Sequence, residues 1–374
     1  PEQSIQSVSK TKKKNGARVA PSASSVKTII VSSAHFMHDT YSGFIAPLLP
    51  FLIERLSLLK AEAGLFTLFY QGASILQPVI GHIADRKNLR KFALIAPAVT
   101  GIFLSLLGTA PTFTTGLFYC LIAGISSATL HATLPALVSS FSGKNVGKGM
   151  SIWMVGGELG VMLGPILITA MVSTFSMEAT PWLMIGGFIV SILLSFLLKD
   201  LPYHNAVAKE TEKIPLKALA AILLPIAGII TLRSFLRSAA LLYLPVYLIE
   251  NGASIWFAGI VFSLTKGIGL VGTISGGMLN DRLGHQFTLI LSLVGSAITL
   301  IIFSVTQNAI QMIALVILSI TAQMMLPVGM AIVQKNFPKN RSLANGIYLA
   351  LLFGINALAS VGTGAMYDWV GGQK

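Results

Sequence analysis

Charge is what this sequence has least of. Asp, Glu, Lys and Arg make up only 10% of its 374 residues, against about 25% in a soluble domain. Acidic residues are scarcest, 13 against 26 basic ones, which leaves a formal net charge of +13. With 54% hydrophobic residues and a mean hydropathy of +0.78, the chain carries more apolar surface than one soluble core can bury. A soluble nucleic-acid-binding domain is excluded, because the basic residues gather in short segments between apolar runs. Cysteine is nearly missing. Cys120 stands alone in an apolar run, which excludes a disulfide framework and leaves it as packing. There is no Walker loop, no nucleophile elbow and no metal-ligand spacing. The chain is therefore expected to be no enzyme, to hold no cofactor or metal, and not to drive transport with ATP.

What is there is a series of long apolar runs. A membrane span needs about 20 mostly apolar residues, and eleven runs qualify: 27–53, 61–84, 91–110, 113–140, 148–175, 181–198, 218–249, 255–280, 286–305, 309–336 and 342–369. They are continuous, not alternating, so they read as helices and not as barrel strands. Of the basic residues, Arg55, Lys60 and Lys374 fall on one side, Arg233, Arg237 and Lys266 fall inside spans, and all others fall on the N-terminal side. That asymmetry predicts a multi-pass protein of the cell's inner membrane with a cytoplasmic N-terminus. Residues 1–26 read as a flexible basic cytoplasmic tail before an uncleaved anchor.

The chain repeats itself. GHIADR at 81–86 and GMLNDR at 277–282 place Gly81 opposite Gly277, Asp85 opposite Asp281 and Arg86 opposite Arg282 at one constant offset. Each copy closes the second span of its half. The domain organisation follows: a six-helix bundle over 27–199, a cytoplasmic linker over 200–217, and a second bundle over 218–374. The second bundle shows five of the six helices that the repeat predicts, so the twelfth is expected to be missing from this chain.

Two pseudo-symmetric bundles with G-x-x-x-D-R after spans two and eight resemble the major facilitator superfamily. The resemblance implies an all-α membrane protein of major facilitator fold. It also implies that Gly81, Asp85, Arg86, Asp281 and Arg282 act in conformational gating, not in binding. Charge-assisted bonds at helix ends suit such a latch. Within the first half, AHFMHDTYSGFIAPLLP (34–50), ASILQPVIGHIADR (73–86), GISSATLH (124–131) and VGGELGVMLGPIL (155–167) resemble the fosmidomycin resistance protein family of bacterial exporters. The chain departs from that family's His-Pro-Glu at His131-Ala132-Thr133, and from its usual Gln at Met154.

Ionisable residues inside the spans are the candidate site, because they are costly there and usually kept for function. His35 and Asp39 lie four apart in span one and share a helix face. They read either as a proton-coupling pair or as a helix-stabilising pair, and His38 points elsewhere on the helix as a weaker contact. Glu158 in span five is a second proton site, a substrate contact, or half of a static ion pair. Gly160, Gly164 and Pro165 beside it are the packing and bending positions, and they resemble part of the antiporter motif. Arg233 and Arg237 in span seven need anions, either from a substrate or from Asp39 and Glu158. Lys266 adds a third buried cation. His131 and Trp153 complete the substrate-binding candidates, with Tyr70, Gln71, Gln77, Tyr243 and Asn356 as further polar contacts.

These residues predict proton-coupled export, by antiport and alternating access, of a small anionic or amphiphilic compound, the chemistry of drug-resistance efflux. The expected partners are a small anionic substrate, protons and the lipid bilayer, with no nucleic acid, and the expected state is a monomer. Two alternatives stand beside this reading: an uncoupled facilitator or importer of an organic anion, and a non-transporting receptor or scaffold on a transporter fold.

Overall fold

The computed structural model describes residues 23–86, 89–142, 146–198, 216–336 and 341–371. The expected tail (1–26) and linker (200–217) lie almost wholly outside the described residues, although helix already begins at Ala23 and resumes at Leu216. The first half comprises α1 (Ala23–Ser42), α2 (Ile45–Leu56), α3 (Lys60–Gly72), α4 (Gln77–Arg86), α5 (Arg90–Leu106), α6 (Phe113–Ser142), α7 (Val146–Thr174) and α8 (Met184–Leu197). The second comprises α9 (Leu216–Arg237), α10 (Leu244–Glu250), α11 (Ile255–Val305), α12 (Asn308–Gln323), α13 (Met325–Asn336) and α14 (Arg341–Gly371).

Among the described residues, nine helical stretches are long and apolar enough to cross a membrane. The expected runs 27–53 and 309–336 are not among them, and each is broken into two helices. Proline explains the breaks. It has no N–H to offer the carbonyl four residues earlier. Pro47 looks back to Gly43 between α1 and α2, and Pro327 looks back to Gln323 at the end of α12. Pro78 follows the 3-10 segment Ala73–Leu76 in the same way, and Pro245 follows the π-helical turn Ser238–Leu242. Pro97, Pro135, Pro165 and Pro225 lie inside unbroken helices. The runs 255–280 and 286–305 join through Gly284, whose φ of 82° falls in the left-handed region that glycine enters without a Cβ penalty.

Helix hydroxyls turn back onto their own carbonyls, as Thr40 does onto Phe36 and Thr133 onto Thr129, which satisfies them without water. Buried Tyr41 fastens span one to span six: its hydroxyl donates to Leu183 O at 2.7 Å and accepts from Gly187 N at 2.7 Å. Large side chains such as Leu193, Phe196, Leu232, Ile274, Ile290 and Ile301 stay exposed, forming the apolar outside that lipid covers.

Between the halves, α3 packs on α14 and α7 packs on α11. In the repeat, the second and eighth spans correspond, as do the fifth and eleventh. The two contacts are therefore the same pairing seen from either half. They are close: a Cβ on Gly64 would stand 2.6 Å from Ser360 O.

Candidate functional site

The site is built on the crossing of α1 and α7. Gly160 and Gly164 sit directly against the backbone oxygens of Phe36 and Thr40, and a Cβ at either would overlap them. Gly157 sits against the side chains: its Cβ would overlap the His35 ring and stand 2.8 Å from Asp39 Oδ2. Glycine in α7 thus opens the space in which α1 can hold His35 and Asp39.

In that space Asp39 is surrounded by imidazoles. His35 Nε2 lies 3.1 Å from Asp39 Oδ2, and His38 Nδ1 lies 2.7 Å from Asp39 Oδ1. His131, from α6, brings Nε2 to 4.0 Å from Asp39 Oδ1 and to 3.3 Å from His35 Nε2. The outer nitrogens settle the tautomers. His35 Nδ1 faces Trp153 O at 2.9 Å, and His131 Nδ1 faces Ser127 O at 2.9 Å. A carbonyl oxygen only accepts, so both Nδ1 atoms carry hydrogen. In their neutral forms both Nε2 atoms then present lone pairs to each other and to the carboxylate. The Trp153 ring stacks on His35 at 3.8 Å and fixes its plane. His38 is fully buried, and its Nε2 has no hydrogen-bond partner.

This arrangement differs from the sequence expectations in three ways. Asp39 is partnered by His35 and His38, not by Arg233 or Arg237. His38, expected to point elsewhere, makes the shortest contact to it, Nδ1 to Oδ1 at 2.7 Å, because residues adjacent in sequence can meet through their side chains without sharing a helix face. Third, although the sequence shows no metal-ligand spacing, the ligand atoms of His35, Asp39 and His131 all lie within 4.8 Å of one another. No spacing in the sequence showed this, because His131 arrives from another span.

The cluster opens onto a cavity of about 220 Å³ between the halves. Asp39, Ser42, Tyr70, Gln71, Ser127 and His131 line it from the first half, and Arg237, Phe262, Lys266, Phe353 and Asn356 from the second. Gln77 also lines it, while Tyr243 does not: its hydroxyl donates toward Lys60 O and Ser360 O. The first-half wall bears a carboxylate and the second-half wall two basic side chains. Lys266 rests over the Phe262 ring at 4.6 Å. Glu158 is half-buried in α7, within electrostatic reach of Lys266 and Arg237 across the interface and of Asp39 and His35 on its own side.

Arg233 takes no part in this lining. Its Nε donates to Ala322 O and its guanidinium NH2 to Gln323 Oε1, both at 2.8 Å, so it is tied to the end of α12. Both partners stand at the end of α12, just before the break that Pro327 marks. Arg237, one turn on, ends α9 where the π turn begins and points into the cavity. Trp153 and His35 stand behind the cavity wall.

Of the gating residues, the side chains of Gly81, Asp85, Arg86 and Asp281 lie outside the described residues, and Arg282 is exposed. A set of contacts between the halves, which no spacing in the sequence signals, lies at the opposite end of α3. Lys60 Nζ pairs with Glu250 Oε1 at 3.0 Å and sits over the Tyr367 ring, whose hydroxyl donates to Glu250 Oε2 at 2.7 Å. Asp368, in α14, accepts from Lys60 N at 2.8 Å and Ala61 N at 2.7 Å. It thereby caps α3 from the other half. An aspartate inside the last apolar run was the available signal.

Comparison with known proteins agrees with this architecture. The family profile of the Major Facilitator Superfamily matches residues 31–309 and 270–373. The chain is 23% identical to the fosmidomycin resistance protein of Escherichia coli (strain K12) over 348 residues, covering 90% of this chain and 85% of that protein. It is 26% identical to the uncharacterized MFS-type transporter YfnC of Bacillus subtilis (strain 168) over 376 residues, covering 97% and 90%. Among solved structures, it superposes on a bacterial homolog of the human lysosomal transporter Spinster with a TM-score of 0.73 at 17% identity, covering 94% of this chain and 85% of that one.

Proposed function

This chain belongs to the Major Facilitator Superfamily of transporters, and from that premise we propose that it exports a small anionic compound in exchange for protons. The observation that carries the reading is the cavity with opposed walls: Asp39 among histidines on one side, Arg237 and Lys266 on the other. The basic residues orient it in the inner membrane with a cytoplasmic N-terminus, and it works as a monomer. The two halves rock about the cavity to expose it alternately to either side.

The lone-pair count supports a proton as the coupling ion. Two Nε2 atoms and a carboxylate converge with no hydrogen between them unless one is added. A proton on His35 Nε2 bonds Asp39 and turns three mutually repelling acceptors into a bonded set. Removing it leaves Asp39 with uncompensated charge toward the cavity, where Arg237, Lys266 and Glu158 respond. Protonation must favour one facing state for coupling to exist. An anion seated at Arg237 and Lys266 supplies the opposite bias.

The test uses proteoliposomes and a panel of small phosphonates, carboxylates and organic cations, beginning with fosmidomycin because a relative carries its name. An imposed pH gradient is expected to drive accumulation of an anionic member of the panel. Asp39→Asn abolishes that drive while the protein still melts as a folded species. Wild-type flux indifferent to the gradient, or gradient dependence unchanged in Asp39→Asn, overturns the reading.

A further inference from the structure

The lone-pair triangle at the cavity wall has the form of a metal site. We propose that His35, His131 and Asp39 bind a divalent transition-metal ion of the Zn²⁺ or Co²⁺ type, with a fourth position open to the cavity. Two imidazole nitrogens and one carboxylate oxygen are a donor set that such ions take, with bonds of about 2.0–2.2 Å. A tetrahedral ion with those bonds spaces its ligand atoms by about 3.3 Å. Here His35 Nε2 stands 3.3 Å from His131 Nε2 and 3.1 Å from Asp39 Oδ2. His131 Nε2 stands 4.0 Å from the other carboxylate oxygen, Asp39 Oδ1, and the three ligand atoms lie within 4.8 Å of one another, so the carboxylate turns toward His131 when the ion closes the set.

The outer hydrogen bonds match as well. Metal-binding histidines nearly always donate their other ring N–H to a carbonyl or carboxylate, and ligating carboxylates are hydrogen-bonded in turn. His35 and His131 donate Nδ1–H to Trp153 O and Ser127 O, and His38 donates to Asp39 Oδ1. The ligand rings are held in place: Trp153 stacks on His35, and Gly157 leaves the room that any larger residue would take. Access exists, because Asp39 and His131 both line the cavity. Ser42, Tyr70 and Ser127 line the same cavity and offer hydroxyls to a bound water. Metal binding stands on this geometry, and because the ion and the coupling proton compete for His35 Nε2, the two are measured apart.

The full chain, purified in detergent and stripped with a chelator, is titrated with Co²⁺. The expected result is one Co²⁺ per chain with the intense visible absorption of a four-coordinate ion, displaced by Zn²⁺. His131→Ala and Asp39→Asn lose it. His38→Gln weakens binding about 10–100-fold, the usual effect of removing an outer hydrogen bond. Because an alanine variant can fail by misfolding, His131→Cys is measured beside it. That variant keeps a ligand and gains a thiolate-to-cobalt charge-transfer band that an unfolded chain does not produce. No stoichiometric Co²⁺ on folded wild-type protein, Co²⁺ bound equally by His131→Ala and Asp39→Asn, or no new band in His131→Cys overturns the site. Gradient-driven flux measured with chelator on both sides keeps the two readings apart: coupling without Co²⁺ binding removes the metal alone, and Co²⁺ binding without coupling removes the proton alone.

Discussion

At the scale of the residue, the two arginines of α9 show how identical side chains four apart come to different work. Arg233 is buried and spends its donors on Ala322 O and Gln323 Oε1, whereas Arg237 lines the cavity. Hydrogen bonds from a charged donor contribute about 1.5–3 kcal/mol each, and their acceptors are left unpaired when the donor goes. Arg233→Ala is therefore expected to lower the melting temperature while keeping the thermal shift given by a bound anion. Arg237→Ala should do the reverse, losing the anion response with little change in the melting of the empty protein. Melting curves with and without the anionic members of the panel check both; an anion response lost only in Arg233→Ala would exchange their roles. The sequence marked both residues as cavity candidates because helical spacing puts them on one face. It does not show which of them meets the end of α12, since that depends on the packing of a helix ninety residues away.

At the scale of the element, the crossing of α1 and α7 decides whether the site exists. Gly160 and Gly164 are where the backbones touch, and extra carbon there must push the helices apart. Overpacking of this kind costs about 1–3 kcal/mol. Gly228 makes the comparison, being helical with nothing within 4 Å of an added Cβ, so Gly228→Ala gains the roughly 1 kcal/mol of alanine's helix propensity. Thermal melting should rank Gly228→Ala above wild type and Gly160→Ala below it, and equal melting of the two variants would remove the close crossing. Much of this layer was legible in the sequence. The apolar runs, the repeat and the small residues of span five read directly, whereas the breaks before Pro47 and Pro327 did not, because proline also sits inside unbroken helices such as α5 and α7. The cluster was legible only by halves: His35 and Asp39 share a face by spacing, but His131 joins them through tertiary packing of α6, which no local pattern encodes.

At the scale of the whole molecule, the pairing of α3 with α14 repeats that of α7 with α11, so the interface has a pseudo-two-fold plan. Alternating access requires one end of that interface to part while the other closes. Two of the contacts that hold the Lys60 end shut, beside the Tyr243 hydroxyl on Lys60 O, are of unequal strength. The Lys60–Glu250 pair is partly solvated, with Glu250 46% exposed, and such pairs contribute about 0–1 kcal/mol. Asp368 is the stronger device, since both its oxygens take backbone N–H groups at the start of α3. Losing even one such bond, at about 1.5 kcal/mol or more, shifts the equilibrium between facing states roughly tenfold. The sequence reading assigned gating to the repeated turns at the other end of the same helices, where charge is dense. It passed over Asp368 because a single aspartate near the end of an apolar run carries no periodic signal. Cys120 is the sole cysteine, so its replacement leaves a background for paired spin labels introduced by Glu54→Cys and Asn251→Cys, two exposed positions flanking the latch. Asp368→Ala is expected to lengthen the distance between those labels in a large fraction of molecules, while Lys60→Gln moves a much smaller fraction. An unchanged distance distribution in Asp368→Ala, with the protein folded, would show that the cap is local to α3 and does not hold the two halves together.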